Sequence, residues 1–160
     1  MKILILGNTG QLGSELNEIL PQYGEVHAFD YPKVDMADKA GIRTVVRKIA
    51  PDVIYNATAY TAVDRAESHI ELAEAVNGRG AGLLAEETAK LNALLVHYST
   101  DYVFDGEKGS PYFENDKTNP LSVYGSSKLH GEEEIIRVDG NHLIFRTSWV
   151  YSLRNESGFV

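Results

Sequence analysis

In the stretch "VYGSSKLHGE", Tyr124 stands four residues before Lys128. That is about one turn of helix, so both side chains belong on one helical face. A phenol with a pKa near ~10 exchanges protons poorly at neutral pH, and a cation beside it favours the phenolate. The pair therefore predicts a general acid, Tyr124, whose pKa is lowered by Lys128. Taken alone, the same two residues also fit an ordinary surface pair, so the rest of the chain must separate the two readings.

A second set of polar residues lies in "YSTDYVFDG", straight after the apolar run "ALLVHYS". Ser99, Thr100, Asp101 and Tyr102 thus leave the carboxyl end of a predicted strand, the edge at which open α/β sheets bind ligands. The alternative is a solvated turn. A third set is "GNTGQLG", with Gly7, Gly10 and Gly13 between a predicted strand and a predicted helix. Glycines there allow a tight turn and a close approach of backbone to a pyrophosphate at a helix N-terminus. The motif lacks the Gly-Lys-Ser/Thr of a nucleoside-triphosphate loop. Asp30 ends the next predicted strand, where a carboxylate can accept hydrogen bonds from an adenosine ribose.

These residues need elements to position them. "KILILG" reads as a strand buried on both faces. Leu12, Leu16, Ile19 and Leu20 follow at helical spacing. "EVHAFD", "DVIYNAT", "ALLVHYS" and "HLIFRTSWV" supply four more strands. Ile42, Val45, Val46 and Ile49 mark a helix stopped by Pro51. Ala66 to Asn92 reads as one long helix softened by Gly78, Gly80 and Gly82, and Tyr124 to Arg137 as another. Strands alternating with helices predict a Rossmann-like doubly wound α/β fold, its parallel sheet covered on both faces. Residues 1–160 form one dinucleotide-binding domain in this reading.

Composition sets the bounds. The chain has 160 residues, a net charge of −8 and no Cys. Disulfides and cysteine chemistry are excluded, and scattered basic residues argue against nucleic acid or an anionic membrane as partner. The apolar run at the start is too short for a membrane span or a signal sequence, which predicts a cytoplasmic protein.

Gly-x-x-Gly-x-x-Gly, a hydroxyl after the fourth strand and Tyr-x-x-x-Lys together resemble the extended short-chain dehydrogenase/reductase family. The finer resemblance rests on "GNTGQLG", "NATAYTAVDRAE", "HYSTDYVFDG", "VYGSSKLHGE" and "LIFRTSWVY", in order across nearly the whole chain. It is to the branch that reduces the C4 keto group of dTDP-4-dehydro-L-rhamnose to dTDP-L-rhamnose with NADH or NADPH. Thr58 departs from that pattern, which usually has Ala there. The resemblance implies that Tyr124 gives a proton to the sugar C4 oxygen, that Lys128 binds the nicotinamide ribose and tunes Tyr124, and that Thr100 bonds the carbonyl oxygen. It implies that Thr100, Asp101 and Trp149 touch the nucleotide-sugar. Gly10, Gln11, Leu12, Asp30, Asp35, Met36, Ala59, Tyr60, Thr61 and Tyr98 would line the cofactor site. The family also suggests a homodimer and, at Glu15, a magnesium ligand between subunits; the alternative for Glu15 is an ordinary first-turn helix carboxylate. The family's substrate subdomain lies beyond the residues of this chain, which therefore carry half a substrate site.

Two rivals share the scaffold. A sugar-nucleotide epimerase needs only the Tyr and Lys, whereas a 4,6-dehydratase needs a carboxylate after Asp101, where this chain has Tyr102. A non-catalytic subunit resembling the regulatory subunit of methionine adenosyltransferase is the other, and Thr100, Tyr124 and Lys128 together argue for catalysis instead.

Overall fold

The structure, a computed structural model, describes residues 1–150. Residues 151–160, with the Tyr151 that closes the last motif, lie outside the described residues. Strands β1 (Lys2–Leu6), β2 (Glu25–Phe29), β3 (Val53–Asn56), β4 (Leu94–Thr100) and β5 (His142–Thr147) pair in parallel, in the order β2-β1-β3-β4-β5. The connecting helices are α1 (Gln11–Ile19), α2 (Lys39–Ile49), α3 (Val63–Ala66), α4 (Ile70–Ala73), α5 (Gly80–Lys90) and α6 (Val123–Val138).

β1 is the central strand, and its apolar run serves both faces of the sheet. Leu4 and Leu6 pack with Ile54, Ile42, Val46, Leu84 and Ile135 on the side of α2, α5 and α6. Ile3 and Ile5 pack with Leu16, Leu20, Val26, Ala28 and Tyr55 on the side of α1. The chain moves outward from β1 to β2, then crosses back to β3 and onward. With right-handed crossovers, α1 must lie on one face and α2, α5 and α6 on the other. The order reverses between β1 and β3, and that switch point opens a crevice at the carboxyl ends of the strands.

Local signals set the helix ends. The Asp38 side chain accepts the Ala40 N–H at 3.0 Å to start α2, and Ala50 ends it in the left-handed region at φ 46°. Ser122 Oγ accepts the Gly125 N–H at 3.0 Å to start α6. Such caps satisfy donors that the helix itself leaves open.

Two expectations need correction. The segment 66–92 is not one helix. A break at 67–69 separates α3 from α4, and a π-type segment, Glu74–Arg79, runs between α4 and α5. Its glycines mark close packing: Gly78 and Gly82 let α6 approach, and Gly80 closes on Met36. A Cβ on Gly78 would come 2.6 Å from the His130 ring, and one on Gly131 would come 2.2 Å from the Asn77 carbonyl oxygen. The sheet is also not covered throughout on both faces. Leu143 and Phe145 share the α1 face by register through Val96 and Tyr98, and each is 48% exposed. Among the described residues no helix is long and apolar enough to cross a membrane.

Candidate active site

The glycine loop joins β1 to α1 at the switch point. Gly7 has φ +85° and its N–H donates to the Phe29 carbonyl at 2.8 Å. A Cβ at Gly7 would lie 2.7 Å from the Ala57 carbonyl carbon, and one at Gly13 would lie 1.9 Å from the Gly7 oxygen. Both positions therefore require glycine so that the turn can close on β3 and α1 can pack on the turn. Gly10 differs: only the Gly7 oxygen, at 3.5 Å, is near its would-be Cβ. A side chain there would fill open space at the start of α1, where helix N–H groups suit an anion.

That space belongs to a cavity of about 850 Å³. Its wall includes Gly7, Gly10, Gln11, Leu12, Asp30, Asp35, Met36, Ala59, Tyr60 and Thr61, all predicted for the cofactor. The size suits a dinucleotide-scale ligand. Asp30 also braces the loop: its carboxylate accepts the Thr9 N–H at 3.0 Å, the Thr9 hydroxyl, and the Tyr31 N–H at 2.8 Å. Gly13 stands behind the loop as a packing residue.

Thr100, Tyr124 and Lys128 meet where α6 crosses the end of β4. Thr100 donates to Asp101 Oδ1 at 3.1 Å and accepts the Tyr102 N–H at 3.2 Å. Its side chain also acts electrostatically on the Tyr124 phenol. Burial raises the Tyr124 pKa above the usual tyrosine value; Thr100 opposes the rise, while Asp101 and Tyr102 add to it. This corrects the expected lowering by Lys128. Lys128 Nζ donates to the Tyr98 carbonyl at 2.6 Å and lies 3.4 Å from His97 Nε2. Lys128 is 2% exposed, and burial pulls its pKa down to about 8 against a smaller opposing effect of Glu132.

Two residues that the motifs did not single out tie this centre to the cavity. In the π-type segment, Asn77 Oδ1 accepts the Tyr60 N–H at 2.8 Å, and Nδ2 donates to Tyr60 O at 3.2 Å and Ser127 Oγ at 3.0 Å. Ser127 Oγ in turn donates to the Tyr124 carbonyl at 2.8 Å. A cavity-wall residue is thus linked to the helix that carries Tyr124. His97, the second, faces Lys128 from inside β4. The signal in each case is a polar residue in an otherwise apolar or small-residue run.

Three placements differ from expectation. The Tyr98 side chain does not line the cavity; it stacks on Phe145 at 6.0 Å, and burial pushes its phenol up to about 12. Only its carbonyl reaches the centre, through Lys128. Trp149 is on the wall of the dinucleotide cavity, whereas Asp101 opens onto a second cavity of about 930 Å³ with Tyr102, Phe145 and Arg146. The two predicted substrate contacts therefore face different spaces. Arg146 is fixed there by Glu132, Nη2 to Oε2 at 2.6 Å. Glu15 lies beyond the first turn of α1, which holds no acidic residue. Among the described residues no group of three or more His, Asp or Glu side chains is placed to hold a metal ion.

The family model described as "RmlD substrate binding domain" matches residues 1–160. A dTDP-4-dehydrorhamnose reductase of Burkholderia thailandensis is 46% identical over 98% of this chain and 53% of its own length. The crystal structure of such a reductase from Clostridium acetobutylicum is similar with a TM-score of 0.93 at 38% identity, covering 98% of this chain and 56% of that one. The Bacillus anthracis reductase, solved in complex with NADP, gives a TM-score of 0.90 at 37% identity, over 94% of this chain and 54% of that one. The chain spans about half the length of the curated relatives it matches.

Proposed function

Because the chain belongs to the RmlD substrate-binding-domain family, we propose that it carries the dinucleotide site and the proton donor of a reductase acting on dTDP-4-dehydro-L-rhamnose. Gly7, Gly10 and the start of α1 hold the pyrophosphate of NADH or NADPH, and Asp30 holds the adenosine ribose. The open flank of Gly10 and the cavity beside it support this fit. When bound, the nicotinamide supplies hydride to the sugar C4.

The residues of the chain handle the proton. Tyr124 transfers its phenolic proton to the C4 oxygen, so the carbonyl becomes a secondary alcohol and Tyr124 is left as phenolate. A phenol kept neutral by burial is in the correct state to donate, and its acidity is needed only as negative charge develops on the oxygen. Thr100 donates to the C4 oxygen from beside the phenol, which holds that oxygen within reach of Tyr124. Lys128 holds the nicotinamide ribose, and below about pH 8, where it keeps its proton, its charge favours the phenolate after transfer. Asp101 and Trp149 contact the nucleotide-sugar from the two cavities they line.

The observation that carries this reading is a phenol, Tyr124, beside Thr100 and one helical turn before a lysine, Lys128, that is only 2% exposed. An ordinary surface pair would not bury its ammonium. The test is to mix the full-length protein with dTDP-4-dehydro-L-rhamnose and NADH or NADPH. Absorbance should fall as the reduced nicotinamide is consumed, with dTDP-L-rhamnose found by mass spectrometry. Consumption no faster than without the sugar would overturn the proposal.

A further inference from the structure

A line of buried polar groups runs from the dinucleotide cavity to Lys128, and each member constrains the next. It begins at Thr58, on the cavity wall. The Thr58 backbone N–H lies 3.3 Å from one side-chain atom of Asn56, and the Thr58 hydroxyl meets the same atom. A backbone N–H can only donate, so that atom is the carbonyl oxygen Oδ1. The other amide atom, Nδ2, then points at His97 Nδ1, 3.0 Å away. An amide nitrogen has only protons to offer, so Nδ1 must accept and carry none. His97 is 1% exposed, and burial, with Lys128 nearby, holds its pKa well below the usual histidine value. The ring is therefore neutral, and its single proton sits on Nε2. That proton faces Lys128 Nζ at 3.4 Å.

From this geometry we infer that Thr58 and Asn56 lock His97 in its Nε2–H form, and that His97 acts as a positioning residue which helps Lys128 give up its proton. An ammonium has no lone pair with which to meet an N–H, whereas a neutral amine can accept it and still donate to the Tyr98 carbonyl at 2.6 Å. The lock thus favours the neutral amine in a place where burial already does so. The groups that face Lys128 are few. From α6 come Glu132, which favours the ammonium but is itself paired with Arg146 at 2.6 Å, and the neutral phenol of Tyr124. From β4 come His97 and the Tyr98 carbonyl. The role of Lys128 beside Tyr124 rests on the reductase reading, but the lock itself does not.

The test needs no substrate, so it separates this inference from that reading. In the chain labelled with ¹⁵N-histidine and ¹³C-lysine, NMR should show the His97 proton on Nε2, with the ring staying neutral through the pH at which an ordinary histidine takes up a proton. The Lys128 ¹³Cε signal, assigned by its loss in Lys128→Met, should titrate near pH 8. Asn56→Ala frees His97 to carry its proton on Nδ1 and to accept from the ammonium. The Lys128 midpoint should then rise by roughly one pH unit, a tenfold tighter hold on the proton. A wild-type His97 protonated on Nδ1 would overturn the inference even if the Asn56 variant fails to fold. So would a Lys128 midpoint unmoved by Asn56→Ala.

Discussion

Replacing Lys128 by Met should remove catalysis and leave the protein more stable near neutral pH. Lys128 is the largest of the fully buried side chains, and its pKa falls from 10.5 to about 8 on folding. At about 1.4 kcal/mol per pH unit, that difference corresponds to roughly 3 kcal/mol. The sign follows from proton binding. Below pH 8 both folded and unfolded chains hold the proton, and the fold carries the full cost of a buried ammonium. Between about 8 and 10.5 the unfolded chain holds the proton and the folded one does not, so stability rises with pH. Above 10.5 both are neutral and the cost is gone. Met has a similar length and nothing to titrate. Urea unfolding of both proteins from pH 7 to 11 isolates the effect, because tyrosines and other lysines titrate in both and cancel in the difference. The mutant's advantage should be largest near pH 7 and shrink by roughly 3 kcal/mol toward pH 10.5. A difference that stays flat across that range would refute the claim that Lys128 is buried with a weakened hold on its proton.

Other expectations follow from the same geometry. Tyr124→Phe should lower kcat by roughly 10²–10⁴ with dinucleotide affinity nearly unchanged, measured by steady-state kinetics and calorimetry; near wild-type turnover would remove the proton-donor role. Asp30 should favour NADH over NADPH, since a 2′-phosphate about 4 Å from its carboxylate is repelled by up to ~4 kcal/mol at an effective dielectric of 20, a figure that salt and the nearby Lys33 reduce. Asp30→Ala should narrow that preference and weaken both cofactors by releasing Thr9; equal wild-type affinities would end the argument. Glu87 is 1% exposed and bound by Arg47 and Lys90, and these contacts, with the Arg47 hydrogen bond foremost, outweigh burial and lower its pKa from 4.5 to about 2. Its contribution is present above pH 4.5 and is lost as pH falls toward 2. Because the partner cations are largely exposed, it amounts to on the order of 1–3 kcal/mol. Glu87→Gln should lack that component of acid sensitivity in thermal melts, and an unchanged acid profile would count against it.

The strands were legible because β1, β3 and β4 are short apolar runs with turn residues after them, and a parallel sheet buries such runs on both faces. The glycine loop was legible because two of its glycines answer to steric contacts that no other residue meets. The long helix misled because glycines in a helix suggest weakness, whereas Gly78 and Gly131 mark where two helices touch. Lys128 was found by its spacing, but its bond to the Tyr98 carbonyl was not, since spacing fixes the start of a side chain and not the end of a long one. His97 and Asn77 left weak signals because their partners are 31 and 50 residues away in sequence, at Lys128 and Ser127. Tyr98 and Trp149 depended on which face of β4 and which end of β5 they occupy, and the motifs did not resolve that.

The central claim is that hydride reaches the sugar C4 while Tyr124 protonates its oxygen. The most direct measurement is a turnover of the full-length protein with dTDP-4-dehydro-L-rhamnose and reduced nicotinamide deuterated at its transferring position, followed by NMR of the product. The account predicts dTDP-L-rhamnose with deuterium at C4 only, formed by wild type and strongly diminished in Tyr124→Phe. Deuterium at another carbon, or a product without it, would contradict the account.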